Sequence, residues 1–259
     1  MTDETTVLPT VDYGSMDVPA FLTARNLSAK GPEGPIFDGV NVTAERGQLL
    51  AIVGQGDTGR TSLLLSLTGR FKHSTGSVTV DGHDEPKRIR EYAAIASAGP
   101  VIVPDEHLTV GALTSERLLI GGAEITPASI VEACALFGIN PDSGTRFGHL
   151  DAPTKVLFTL ALATAEHRPI IAIDDVDKGL DRPNVHRVWT ALRQLAQHGH
   201  LVIATTAQPG IADVTVHLPN APVDADTPTR IVPRVEPAPP HHTGQHRAET
   251  IAQRDEETN

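Results

Sequence analysis

The residues best suited to chemistry form a glycine-rich segment after an apolar run. Gly54 to Thr61 fits the phosphate-binding pattern G-x-x-x-x-G-K-[ST] at every defined position except Arg60. Its glycines allow the backbone to curl at positive φ, so that N–H groups face phosphate oxygens. A helix that follows adds the positive end of its dipole. The segment therefore predicts a nucleotide phosphate site. The predicted nucleotide-binding residues are Gly54, Gln55, Gly56, Asp57, Thr58, Gly59, Arg60, Thr61 and Ser62.

Arg60 is the one departure from this pattern. Arginine keeps the positive charge but is a wide planar fork, whereas lysine is a compact point charge. It can pair with phosphate oxygens, even bidentately. Its width, however, argues that the guanidinium does not fit into the space that a lysine side chain occupies over the terminal phosphates. A chance glycine-rich turn is the alternative. The order strand, glycine turn and helix argues against that alternative.

A second chemical feature is the acidic pair Asp174 and Asp175, which follows the apolar run Ile170–Ile173. Many strands end in acidic turns, so the pair is weak evidence alone. Together with an upstream phosphate loop it indicates a magnesium site, because Mg²⁺ in nucleotide sites is held by carboxylates, water and phosphates.

Alternating strands and helices must position these groups. Continuous apolar runs are typical of strands covered on both faces, and their alternation with helical patterns predicts an α/β domain with a largely parallel sheet. The predicted strands are Leu49–Val53, Ser77–Val80, Ile170–Ile173 and Leu201–Thr205. The predicted helices are Thr61–Thr68, Pro127–Phe137, Lys155–Ala165 and Val185–Gln197.

Composition suggests the domain boundaries. We expect a flexible lead over residues 1–18, a nucleotide-binding domain over 19–220 with a helical subdomain at about 85–150, and a proline-rich disordered tail over 221–259. The tail histidines His241, His242 and His246 are more simply solvated than metal-bound.

Net charge and cysteine use exclude some classes of function. The net charge of −11 argues against general nucleic-acid binding, and no apolar run reaches the ~18 residues of a membrane span. The lone Cys134 predicts a buried, inert thiol in a reduced, cytosolic setting.

The sequence resembles the nucleotide-binding domain of ATP-binding cassette (ABC) transporters over about residues 20–218. The resemblance is carried by the phosphate loop, the run TGSVTVDG after its helix, HLTV, and IDDVDKGLD. It implies a P-loop NTPase fold of the ABC type, with a mostly parallel core sheet, an antiparallel β subdomain and a helical subdomain. It also implies that Thr61 and Asp174 hold Mg²⁺, that Asp175 is the catalytic carboxylate, and that Asp181 lies in a loop reaching across a dimer.

Several departures indicate a degenerate member of that family. Asp175 replaces a glutamate, and a carboxylate retracted by about 1 Å can cost on the order of a hundredfold in rate. Residues 148–152 (GHLDA) replace the signature L-S-G-G-Q, where Asp151 would bring negative charge toward phosphate, and Thr206 stands at the position of the switch histidine. No glutamine appears at Ala98, Gly99 or Pro100, and no aromatic near Lys30 or Gly31.

The resemblance implies an ATP-binding subunit of an ABC-type membrane transporter that binds ATP and Mg²⁺, with slow or partner-dependent hydrolysis. Its expected partners are a membrane permease subunit and another ATP-binding cassette, as a homo- or heterodimer, without nucleic acid. Its expected location is cytoplasmic, peripheral at the inner face of the cell membrane. The alternative is a pseudo-ATPase that regulates or scaffolds a membrane complex. A phosphoryl-transferring P-loop kinase is disfavoured, because the TGSVTVDG run and the GLD run have no place in that class.

Overall fold

The computed structural model describes residues 20–121, 125–208 and 210–219. The predicted lead over 1–18, the predicted tail over 221–259 and the tail histidines lie outside the described residues.

A three-stranded antiparallel sheet forms the first layer, with strand order β2-β1-β4. Its strands are β1 (Leu22–Gly31), β2 (Gly34–Ala44) and β4 (Thr75–Val80). Leu22 pairs with Ala44 on one side and with Val80 on the other, and all three side chains are buried. The sheet therefore turns one apolar face toward the rest of the domain.

A five-stranded parallel sheet forms the centre, with strand order β5-β6-β7-β3-β8. Its strands are β3 (Leu49–Val53), β5 (Ala93–Ser97), β6 (Ile170–Ile173), β7 (Leu201–Thr206) and β8 (Val214–His217). Every residue of β3, β6 and β7 is buried, as continuous apolar runs predict for strands covered on both faces. The carboxyl ends of these three strands meet at one edge, where the phosphate loop and the acidic pair follow.

Six helices in the described part of the chain cover the sheets. They are α1 (Arg60–Leu67), α2 (Pro86–Tyr92), α3 (Val110–Ile120), α4 (Pro127–Leu136), α5 (Ala152–Thr164) and α6 (Arg182–Gln197), with a 3-10 turn at Phe147–His149. Alternate residues of β3 divide the core between two clusters. Leu50 and Ile52 face α1 and the antiparallel sheet, while Leu49, Ala51 and Val53 face α4, α5 and α6.

The predicted elements occur with small shifts at their ends. Helices α5 and α6 each begin three residues earlier than predicted, because an aspartate caps the first turn and a proline follows two residues later. Strand β5 lies inside the range expected to be mainly helical. Its sequence AAIAS carries little strand propensity, and it is a strand because it pairs in parallel with β6.

Two further predictions concern the single cysteine and membrane-spanning segments. Cys134 is a free, buried thiol whose pKa is raised by burial, which keeps it protonated and poorly nucleophilic. Within the described residues, no helix combines the length and the apolar character that a membrane span requires.

Candidate functional site

The phosphate loop connects β3 to α1 in a conformation that its small residues permit. Gly59 has a φ of 85°, and a Cβ there would lie 2.3 Å from the carbonyl oxygen of Ile36, so no other residue fits. Asp57 also has a positive φ, of 63°. The hydroxyl of Thr58 donates to the carbonyl of Gln55 over 2.8 Å and closes the turn from inside. No side chain caps α1, so its first N–H groups remain available to an anion.

Arg60 points across the loop toward the acidic pair. Its Nη2 donates to Oδ1 of Asp175 over 2.6 Å, and the side chain of Arg60 is only 12% exposed. Its other terminal nitrogen, Nη1, is buried and has no hydrogen-bond partner among the described residues. Leaving a buried donor unsatisfied costs about 1–3 kcal/mol. Nη2 of Arg60 is therefore engaged by Asp175, whereas Nη1 is available to another acceptor.

Asp174 is buried at the end of β6 and accepts one threonine hydroxyl on each oxygen. Thr61 donates to Oδ2 over 2.7 Å, and Thr205 makes a short hydrogen bond to Oδ1. The backbone N–H of Asp174 donates to the carbonyl of Ser97 over 2.9 Å. Residues of α1, β5 and β7 thus fix one carboxylate that is only 7% exposed. Within the described residues no cation forms an ion pair with it.

Asp175 is the more accessible of the two carboxylates, with 32% of its side chain exposed. Its backbone has a φ of 50°, in the left-handed region that non-glycine residues rarely adopt. Burial raises the pKa of the Asp175 carboxyl and the neighbouring charge of Asp174 raises it further, while Arg60 and Lys178 oppose both effects. Asp175 is therefore poised to take up a proton more readily than an ordinary aspartate.

The donor set fits a magnesium nucleotide. Thr61 and Asp174 offer adjacent hard oxygens, and the phosphate loop offers N–H groups and the unpaired Nη1 of Arg60. No group of three or more histidine, cysteine, aspartate or glutamate residues in the described chain could hold a metal ion alone. Mg²⁺ in nucleotide sites takes few protein ligands and completes its shell with phosphate oxygens and water.

A cavity of about 460 Å³ opens directly beside the two aspartates. Phe147 and Thr159 form part of its wall, which also carries the ion pair of Lys155 with Glu106 and the side chain of Lys178. Solvent and small solutes therefore have access to the acidic pair from the side of α5.

The structure thus brings together the predicted residues of the phosphate loop and the acidic pair. Gly54, the first loop residue, donates its N–H to the carbonyl of Thr206 over 3.2 Å, which joins the loop to β7. Two other residues considered in the sequence analysis lie in structural hydrogen bonds. Asp151 caps α5 by accepting the N–H of Thr154 over 2.8 Å, and Asp181 caps α6 by accepting the N–H of Asn184 over 3.1 Å.

Thr206, at the expected switch position, is fully buried and its hydroxyl is already engaged. Its proton has two acceptors, Oδ2 of Asp177 at 2.8 Å and the carbonyl of Gln208 at 2.7 Å, and its oxygen accepts the N–H of Gln208 over 3.2 Å. The hydroxyl therefore fixes the chain after the acidic pair, and its donor is engaged within the protein.

Sequence reasoning missed Thr205, which contacts both aspartates. It appeared only as the last residue of a predicted strand. A hydroxyl at the carboxyl end of a buried strand beside the acidic strand is a signal that could have indicated it, because neighbouring parallel strands end at the same edge.

Comparison with known proteins agrees with this geometry. The sequence profile of the family described as "ABC transporter" matches residues 37–177, more than half of the chain. The cytochrome c biogenesis ATP-binding export protein CcmA of Rhodopseudomonas palustris is 26% identical over 193 residues, which cover 74% of this chain and 94% of CcmA. The ribose import ATP-binding protein RbsA 3 of Rhizobium etli is 23% identical over 206 residues. That match covers 75% of this chain but only 40% of the relative, so the chain spans less than half of that protein.

The fold has solved relatives as well. A structure from Pyrococcus furiosus, described as a candidate ABC transporter ATP-binding protein, superposes with a TM-score of 0.64 at 20% identity, covering 76% of this chain and 96% of its own. At that identity the likeness shows the fold, while the profile match shows the family. With the phosphate loop and the acidic strand end meeting at one sheet edge, the chain belongs to the ABC transporter family.

Proposed function

We propose that the chain is the ATP-binding subunit of an ABC-type membrane transporter and binds Mg-ATP with slow or partner-dependent hydrolysis. One observation carries the proposal: the hydroxyl of Thr61 lies 2.7 Å from the carboxylate of Asp174, although 113 residues separate them in sequence. That arrangement gives a phosphate loop its magnesium ligands.

Each predicted residue has a role in this proposal. Backbone N–H groups from Gln55 to Ser62 bind phosphate oxygens, while the N–H of Gly54 joins the loop to β7, and Nη1 of Arg60 donates to one phosphate oxygen. Thr61 and Asp174 hold Mg²⁺, which when bound neutralises the charge of the phosphates. Asp175 orients or deprotonates the attacking water.

We attribute slow hydrolysis in part to the ion pair between Arg60 and Asp175. Nη2 of Arg60 donates to Oδ1 over 2.6 Å, and an adjacent guanidinium makes a carboxylate a weaker base. Oδ2, which lies 3.9 Å from Nζ of Lys178, can still accept from water, so Asp175 keeps a weakened capacity to act as a base. The shorter aspartate side chain adds its own loss of about a hundredfold, because misplacement by about 1 Å costs that much.

The proposed partners follow from the family. CcmA and RbsA 3 are named as ATP-binding proteins of an export and an import system. By analogy, we place this chain in the cytoplasm, peripheral at the inner face of the cell membrane. Its partners there are a permease subunit and a second cassette, as a homo- or heterodimer. A complete partner cassette would supply the groups that this chain lacks.

One observation favours a second candidate, a pseudo-ATPase that regulates or scaffolds a membrane complex. The proton of the Thr206 hydroxyl is engaged within the protein, by Asp177 or by the carbonyl of Gln208, so this position offers no free donor to a terminal phosphate. In that case the chain binds nucleotide without turning it over.

Calorimetric titration with Mg-ATP tests the proposal. We expect micromolar binding by the chain and about tenfold weaker binding by Thr61→Ala, because a hydrogen bond to a charged group is worth about 1.5–3 kcal/mol. Ser66→Ala is the matched control, since it removes a buried hydroxyl from the same helix that bonds only to the carbonyl of Ser62. Equal binding by Thr61→Ala and the unsubstituted chain would contradict the site.

A phosphate-release assay on the same samples separates the two candidates. Slow release that a partner cassette accelerates supports the transporter subunit. Tight binding with no release, alone or with a partner cassette, supports the pseudo-ATPase. Absence of binding up to millimolar Mg-ATP would reject the transporter-subunit proposal and favour a pseudo-ATPase that keeps the fold without binding nucleotide.

A further inference from the structure

Thr205, at the carboxyl end of β7, is fully buried between the two aspartates. Its hydroxyl donates to Oδ1 of Asp174 and accepts the backbone N–H of Asp175 over 2.8 Å. Among the described residues it is the only side chain hydrogen-bonded to both. One hydroxyl therefore sets the direction of two consecutive acidic residues.

The two hydroxyls on Asp174 are not equivalent. Thr61 is the first-turn residue of α1 and a proposed metal ligand, so its oxygen must direct a lone pair to the metal ion while its proton goes to Oδ2. Thr205 lies in the middle of the parallel sheet, where its backbone is paired on β7 and cannot follow α1. Its bond to Oδ1 can persist throughout and keep Oδ2 facing the phosphate loop.

The bond from Asp175 has a second effect. Asp175 adopts a φ of 50°, a conformation that needs support from its surroundings in a non-glycine residue. The N–H bond to Thr205 supplies that support at the backbone, and the next residue, Val176, donates its N–H to the carbonyl of Thr205 over 3.1 Å. The side chain of Asp175 is thereby turned toward Arg60.

We propose that Thr205 is a positioning residue that couples the metal-binding carboxylate of Asp174 to the carboxylate of Asp175. The proposal rests on the proposed function, since it concerns how the same site binds magnesium nucleotide. Thr205 itself need not touch nucleotide or metal, because its hydroxyl is satisfied as a donor and as an acceptor within the protein.

The test compares ATP binding by the full chain with Mg²⁺ and with EDTA in place of the metal. Thr205→Val keeps the shape but lacks the hydroxyl, and Thr205→Ser keeps the hydroxyl. We expect Thr205→Val to weaken Mg-ATP binding by about tenfold, as for the loss of a hydrogen bond to a charged group. We expect metal-free ATP binding to change by less than about twofold, because the phosphate loop is intact, and Thr205→Ser to restore the effect of Mg²⁺.

Thr68→Val is the matched control for the loss of a buried hydroxyl. Thr68 is also fully buried, but its hydroxyl bonds to carbonyls at the far end of α1 from the phosphate loop. It should leave the ratio of the two affinities unchanged. If Thr205→Val does not fold, as judged by circular dichroism, Thr205→Ala lacks the same hydroxyl and carries the same expectation.

The outcomes separate the two claims. An unchanged affinity ratio in the hydroxyl-free variant, or an equal fall with and without Mg²⁺, overturns the positioning role and leaves the proposed function standing. Failure of the unsubstituted chain to bind Mg-ATP overturns the proposed function and the positioning role together. Loss of the Mg²⁺ effect in Thr205→Val with recovery in Thr205→Ser supports both.

Discussion

Aspartates serve two different purposes in two regions of this molecule. At the sheet edge, Asp174 and Asp175 lie side by side next to a cavity of about 460 Å³, and their carboxylates face a guanidinium and two threonine hydroxyls. At the starts of α5 and α6, Asp151 and Asp181 bond to backbone N–H groups of their own helices. The first pair lies in a site of opposed charges, whereas the second pair satisfies backbone N–H groups at helix starts.

The difference is visible in the pKa values. Burial and the charge of Asp174 raise the pKa of Asp175, while hydrogen bonds from Thr154 lower the pKa of Asp151. Raising the pKa of a carboxyl means that its charged form is disfavoured, and lowering it means that the charge is stabilised. A carboxyl that must take up a proton, as proposed for Asp175, benefits from the first condition. A helix start benefits from the second, because a negative charge complements the helix dipole.

Asp175→Asn should have the largest effect, and it tests whether the aspartates at the sheet edge serve the reaction. If Asp175 is the catalytic carboxylate, slow ATP hydrolysis should fall by about a hundredfold more, the contribution typical of a general base. ATP affinity should rise severalfold at the same time, because Arg60 loses its internal competitor and is free for phosphate. Phosphate release and calorimetry measure the two quantities.

The control for that substitution is Asp142→Asn, at an exposed loop carboxylate whose recorded bonds go to Gly144 and Thr145. An Asp175→Asn chain with unchanged hydrolysis would remove Asp175 from the reaction. Weaker ATP binding would mean that the ion pair helps the site rather than competing with phosphate.

A smaller effect, on the free energy of unfolding, is expected at the helix-capping aspartates. Asp151→Ala should lower the free energy of unfolding by about 1 kcal/mol, the usual cost of removing a helix N-cap. Urea denaturation measures it, and Asp151→Asn is the control, because asparagine caps nearly as well. Equal stability of the alanine variant and the unsubstituted chain would show that the cap contributes nothing.

The smallest effect concerns pH. The folded-state pKa of Asp175 lies above its ordinary value, so the folded chain binds this proton more tightly than the unfolded chain. The free energy of unfolding of the unsubstituted chain should therefore rise relative to Asp175→Asn as the pH falls through the folded pKa, and this gain should be lost as the pH rises again. Paired denaturation curves above pH 3.8, the ordinary value, measure the difference. The opposite slope would mean that Arg60 and Lys178 outweigh burial.

The elements that the sequence alone predicted correctly depend on local sequence patterns. The strands Leu49–Val53 and Ile170–Ile173 are confirmed with the same bounds, because continuous apolar runs between turn residues leave no other solution for a sheet covered on both faces. The conformation of the phosphate loop is local as well, since Gly59 allows a φ of 85° that other residues resist. The sequence also indicates the starts of α5 and α6, by an aspartate followed by proline two residues later. The predicted helices, which follow the apolar spacing, begin three residues too late.

What only the tertiary structure decided are the pairings between distant segments. The ion pair between Arg60 and Asp175 could not be predicted from the sequence. The two residues are 115 positions apart, and their contact depends on the order of strands in the sheet. For the same reason the sequence could not assign Thr205 to both aspartates, or direct the Thr206 hydroxyl to Asp177. Motifs determine which groups a site contains, since backbone geometry and charge are properties of the residues themselves. Strand order determines which of those groups face each other, since hydrogen bonds form only where the packed sheet brings their atoms within about 3 Å.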